Sequence, residues 1–145
     1  MMKVFLLSIM IIFAGFMAQA ANNNPWMRTC RIDQGRFWTV KVPGDEQALC
    51  LFGDAGIGAE TFFLFKTNSG VPEAIHAYKN RNSSSPRGGV CGAFDAELVE
   101  GKDTTGRSFN LCQFSDGSLI EETTLWLGAG SGSNEALDNA LSKTY

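Results

Sequence analysis

The sequence predicts an α+β protein: two pseudo-repeats of a helix–β-hairpin–helix unit sharing an antiparallel sheet of about four strands, held by two disulfides. Three observations predict it. One phrase is written twice, the four cysteines are spaced alike in the two copies, and local patterns alternate between helical and strand periods. Leu49–Phe65 reads LCLFGDAGIGAETFFLF and Leu111–Leu127 reads LCQFSDGSLIEETTLWL. A shift of sixty-two residues superposes Leu49/Leu111, Cys50/Cys112, Phe52/Phe114, Asp54/Asp116, Glu60/Glu122 and Thr61/Thr123. Upstream the shift is sixty-one, so Pro25 precedes Cys30 as Pro86 precedes Cys91.

Each element has its own warrant. Asn24-Pro25 opens a short helix carrying Cys30, because proline suits the first helical position, and Gly35 stops it. Arg36–Phe52 alternates, turns at Pro-Gly-Asp-Glu and returns, which predicts a β-hairpin with Cys50 on its second strand. Ala-Glu-Leu-Val-Glu, the turn Gly-Lys-Asp-Thr-Thr-Gly and Arg-Ser-Phe-Asn-Leu-Cys-Gln-Phe repeat that hairpin. Asp116-Gly117 marks a turn, and Ser118 with Glu121 fits a capping box opening a helix. Ile57, Leu64 and Phe65 recur at helical spacing, as do Leu119, Trp126 and Leu127, with a strand as the alternative for the β-rich TFFLF and TTLWL. Residues 69–80 and 131–143 read as a trailing helix in each copy, and KNRNSSSPRGG reads as a linker.

The first twenty residues place Lys3 before an apolar run and close on Ala18-Gln19-Ala20, the order of a secretory signal peptide. The run falls short of the roughly 20 residues a spanning helix needs, so no stable membrane span is expected. The expected layout is residues 1–20 as signal peptide, 21–80 as copy one, and 81–145 as linker and copy two, with 21–145 forming one globular domain. Without Lys3, eleven basic residues face fifteen acidic ones, and no basic stripe favours nucleic acid. Periplasmic or secreted localisation follows.

In that setting Cys30, Cys50, Cys91 and Cys112 read as two disulfides rather than a metal site, which would favour closer pairs. Equivalent units predict Cys30–Cys50 and Cys91–Cys112, with pairing across the copies as the rival. Each such bridge is worth about 3 kcal/mol on the chain-entropy account.

Asn24-Pro25, Cys30, Gly35, Cys50-Leu51-Phe52 and Asp54 form one set of landmarks. Pro86, Cys91, Cys112-Gln113-Phe114, Asp116-Gly117-Ser118, Glu121-Glu122, Leu125 and Gly128 form a second. Both sets resemble a family of small exported bacterial proteins carrying a haemolysin label, the domain-of-unknown-function 333 group. The family's further cysteine pair is missing, its places in the second copy being held by Ile120 and Gly130, as is a Gly35 counterpart near Asp95. The resemblance implies two tandem copies and an exported protein. It implies no established activity.

Catalytic chemistry is poorly supported. His76 is the lone histidine, in a trailing helix without a nucleophile in its motif. Asp54, Asp116, Ser118 and Glu121 read as structural caps at turns and helix starts. The carboxylates shared by the copies, Asp54/Asp116 and Glu60/Glu122, leave an envelope hydrolase as the alternative. There is no calcium ladder, and Gly128–Gly132 lacks the Lys-Ser/Thr of a phosphate loop, so neither metal nor cofactor is expected. Trp26, Trp38, Phe62, Phe63 and Trp126 exceed what one helical stripe needs and are the candidate anchors for a partner. The reading is a non-catalytic exported binding module, an inhibitor or an interaction protein whose partner is an unknown protein or envelope component. A membrane-active haemolysin-like protein is a further alternative, for which no amphipathic or long apolar segment is legible.

Overall fold

The computed structural model describes residues 24–81 and 88–143, so the expected leader and most of the linker lie outside the described residues. Helix α1 (Pro25–Ile32) begins where the Asn24 side-chain oxygen accepts the N–H groups of Trp26 and Met27 at 2.9 and 3.4 Å. It ends as Gln34 turns left-handed (φ 67°) and the Gly35 N–H donates to the Cys30 carbonyl at 2.9 Å. Strands β1 (Arg36–Val42) and β2 (Asp45–Phe52) form the first hairpin. Strand β3 (Ala55–Gly58) follows, then helices α2 (Ala59–Lys66) and α3 (Glu73–Asn80). The second half repeats the order: α4 (Gly89–Ala93), β4 (Glu97–Lys102), β5 (Ser108–Gln113), β6 (Leu119–Glu121), α5 (Glu122–Leu127) and, after a 3-10 turn, α6 (Glu135–Ser142).

The expected open sheet of about four strands, and the helix–hairpin–helix unit with it, are overturned. Six antiparallel strands close into a barrel in the order β1-β2-β3-β6-β5-β4. The extra strands come from the segments expected to open helices. Ile57 pairs with Cys50 and with Ile120, while Leu119 pairs with Gln113. Ser118 therefore opens no helix: Leu119–Glu121 is strand, and α5 starts one residue later behind Glu121. The physical reason is closure. Two hairpins alone leave four edges, and a third strand in each half lets β3 meet β6 while β1 meets β4 at Lys41–Lys102.

Alternation along the strands sorts the apolar residues into two cores. Val40, Leu49, Leu51, Phe109, Leu111 and Leu119 fill the barrel, with Trp38, Val42 and Val99 packed against them. Cys50, Phe52, Ile57, Cys112 and Ile120 face outward and bury against the helices, through Phe62, Ile75, Tyr78, Leu125, Leu137 and others. A six-stranded barrel is narrow, and interior glycines make room. A Cβ on Gly101 would lie 3.2 Å from both Val40 Cγ2 and Val42 Cγ1, and one on Gly58 3.0 Å from Leu119 Cβ.

The disulfides pair within each half, Cys30–Cys50 and Cys91–Cys112, with Cα separations of 5.7 and 5.1 Å. Each tacks the first helix of its half to the second strand. Two formed disulfides suit an oxidising environment. Among the described residues, no helix is long and apolar enough to cross a membrane.

Candidate functional site

Three recesses gather around the β5–β6 turn, where β3 and β5 end and β4 and β6 begin. The first, about 570 Å³, runs from Asn24, Trp26 and Phe37 past the β1–β2 hairpin end (Asp45, Glu46, Gln47) to Glu60, Gln113, Gly117 and Leu119. The second, about 320 Å³, shares Glu60, Thr61 and Gly117 with it and continues to Val71, Pro72, Asp116 and Ser118. The third, about 470 Å³, is lined by Asp95, Glu97, Gln113, Phe114, Ser115 and Gly117. Both halves contribute walls. Among the described residues, six carboxylates line the three recesses, and no lysine, arginine or histidine does.

The turn at the centre is built rigidly. Asp116 Oδ2 accepts the Glu73 N–H at 2.9 Å, and Ser118 Oγ accepts the Ala74 N–H at 2.9 Å. Helix α3 begins at Pro72 and Glu73 with no cap of its own, so its exposed N–H groups are satisfied by side chains from the other half. Asp116 also accepts the Ser118 N–H and hydroxyl, and the Ser115 hydroxyl donates to Glu73 at 2.8 Å. Partial burial opposes ionisation of Asp116, but the Glu73 N–H and then the Ser118 hydroxyl and N–H outweigh it, holding the carboxyl below its ordinary value. A carboxylate held ionised this way makes a poor general acid.

Glu121 caps α5, accepting the N–H groups of Thr123 and Thr124 at 3.0 and 2.8 Å. Asp54 stands exposed in the turn between β2 and β3. Glu60 and Glu122, alike in the repeat, part company: Glu60 lines the two joined recesses, while Glu122 sits beside Cys91 in a fourth recess, which meets the third at Glu97.

The five aromatics do not form one patch. Trp26 is half-buried and lines the largest of the three recesses. Trp38 packs against the barrel interior, its indole N–H donating to Asp103 Oδ2 at 3.1 Å, with the Arg36 guanidinium over its ring. Phe62 is fully buried against Phe52, with ring centroids 5.1 Å apart. Phe63 is half-buried, and Trp126 is 55% exposed on α5. Phe37, which sequence reasoning left unremarked, lines the recess with Trp26. Its place in a strand facing α1 is the signal that could have found it.

His76 is exposed on α3. All four cysteines are bridged. Among the described residues, no three His, Cys, Asp or Glu side chains stand where they could hold a metal ion.

Two buried polar pairs also escaped sequence reading. Lys66 Nζ lies 3.4 Å from Asp33 Oδ2, with side chains only 2% and 1% exposed, and donates to the carbonyls of Ala140 and Lys143. The Tyr78 hydroxyl donates to Asp138 Oδ1 at 2.6 Å, and burial foremost, then this partner, pushes its pKa upward. Both pairs tie helices together, and none of their four residues lines these recesses.

No family model, curated protein or solved structure matches the chain.

Proposed function

We propose that the protein is a non-catalytic binding module, exported to the periplasm or beyond, that engages a protein partner through the recesses around the β5–β6 turn. The single observation that carries the reading is their lining: concave surface from both halves of a disulfide-braced barrel, with Asp45, Glu46, Glu60, Asp95, Glu97 and Asp116 at its walls and no basic residue there among the described residues. A rigid frame loses little entropy on binding, and a single sign of charge steers an oppositely charged partner. The partner that fits is a basic protein presenting lysine or arginine side chains, with Trp26 and Phe37 receiving its apolar contacts. The likeness of the two landmark sets to the domain-of-unknown-function 333 family supports an envelope setting and leaves the haemolysin label without a mechanism.

Affinity capture with the processed, oxidised protein from envelope and secreted extracts tests this. A stoichiometric basic protein should be retained, and retention should fall at least about tenfold in the Glu46→Lys/Glu60→Lys variant and weaken with added salt. Retention indifferent to both would refute the site. Turnover of a glycan or peptide panel, lost in a folded Glu60→Gln variant, would replace the reading with a hydrolase.

A further inference from the structure

We propose that the two disulfides are unequal in kind, and that Cys91–Cys112 is a redox-responsive bridge opened by dithiols through attack on the Cys91 sulfur, while Cys30–Cys50 is sealed. Cys30 and Cys50 are both fully buried. Gly35 packs so closely on their bridge that a Cβ there would lie 2.4 Å from Cys50 Sγ, so backbone covers the sulfurs directly. The helix carrying Cys30 is eight residues long, capped by Asn24, and its C-cap residue Asp33 is ion-paired to Lys66.

The second bridge has none of this. Cys91 keeps 3% exposure and lines a surface recess of about 310 Å³ with Gly88, Gly89, Leu98 and Glu122. Its helix, α4, has five residues, two of them glycine, and a Gly88 cap that supplies no side-chain bond. Leu98 stands 50% exposed on this side. Its counterpart in the repeat, Phe37, is half-buried and packed against the core. A short, glycine-rich, uncapped helix is the kind of element that opens locally before the rest of a fold.

In the step itself, one thiolate of an external dithiol attacks Cys91 Sγ, the Cys91–Cys112 bond breaks, and Cys112 leaves as a thiolate that takes a proton from water. The dithiol's second thiolate then attacks the dithiol sulfur bound to Cys91. Cys91 leaves as a thiolate and is protonated, and the dithiol departs as a disulfide, having given up two electrons. The Glu122 carboxylate lies 3.9 Å from Cys91 Sγ, so it resists an incoming thiolate and, after reduction, favours the protonated thiol over the nucleophile that would re-form the bond. Reduction frees α4 from β5, while β5 stays laddered between β4 and β6.

The test treats the oxidised full chain with dithiothreitol under native conditions, traps thiols by alkylation at intervals, and locates them by peptide mapping. Cys91 and Cys112 should be modified at least about tenfold faster than Cys30 and Cys50, with far-ultraviolet dichroism retained. Glu122→Gln, checked for the same dichroism, should quicken that first phase several-fold. Four cysteines reacting together, or Cys30 and Cys50 first, would overturn the inequality. A rate unchanged in Glu122→Gln would place the attack elsewhere and overturn the route.

Discussion

Gly35 shows how a single missing carbon can matter. Its backbone φ is ordinary, and what it supplies is space, since any Cβ would collide with the Cys30–Cys50 sulfurs at 2.4 and 2.9 Å. Gly35→Ala should cost about 1–3 kcal/mol of stability, read from denaturant midpoints, with the bridge forming more slowly on oxidative refolding. In the second half Ala96 makes the matching bond, its N–H donating to the Cys91 carbonyl at 2.9 Å, so the demand for glycine belongs to one bridge alone. The Asp33–Lys66 pair obeys a different logic. Removing one partner strands a buried charge, so Lys66→Met should destabilise by about 3–5 kcal/mol, and Asp33→Leu added to it should restore much of the loss. Asp116 contributes to the pH dependence in acid, as does Asp103, whose carboxyl is held low first by the Thr105 hydroxyl. Because the folded pKa of Asp116 is depressed, its contribution is complete above the ordinary value of 3.8 and is lost as pH falls through the lower folded value. Acid titrations of stability should show a shallower decline below about pH 4 in Asp116→Asn, which also loses about 1 kcal/mol of capping at neutral pH.

At the scale of elements, the seam between the halves is the informative place. The β3–β6 ladder holds one residue pair, Ile57–Ile120, too little to join two sheets by itself. Threonines from the following helices complete it. Thr61 Oγ1 on α2 accepts the Leu119 N–H, and Thr124 Oγ1 on α5 accepts the Gly56 N–H, each at 2.9 Å and each across the seam. Both threonines are buried, so Thr124→Val, isosteric but without the acceptor, should cost about 1–3 kcal/mol in thermal or denaturant unfolding. Thr61→Val should do the same. The helix starts at Asn24-Pro25, the two hairpins and the disulfide partners were legible because caps, alternation and a repeated cysteine spacing are local signals. Strands β3 and β6 were not. In Ala-Gly-Ile-Gly only Ile57 favours a strand, and the glycines are there for the room a narrow barrel needs. Ser118 and Glu121 read as one capping box because their spacing fits it. In fact each serves a different helix, Ser118 reaching α3 from the other half and Glu121 holding α5.

For the molecule as a whole, closure assembles the candidate site as well as the fold. Residues forty to sixty apart in sequence, such as Glu73 and Asp116 or Glu60 and Gly117, come together only because β3 meets β6 and β1 meets β4. The candidate site was for that reason barely visible in one dimension. Trp26 could be nominated as an aromatic in surplus, but its company of carboxylates is assembled by topology. An open sheet would scatter those walls and leave the β1 and β4 edges unpaired. Cross-strand backbone nuclear Overhauser contacts in the oxidised protein test closure most directly. The structure predicts them between Ile57 and Ile120 and, at the opposite seam, between Lys41 and Lys102. Contacts within both hairpins but at neither seam would contradict the barrel, and the proposed binding surface with it.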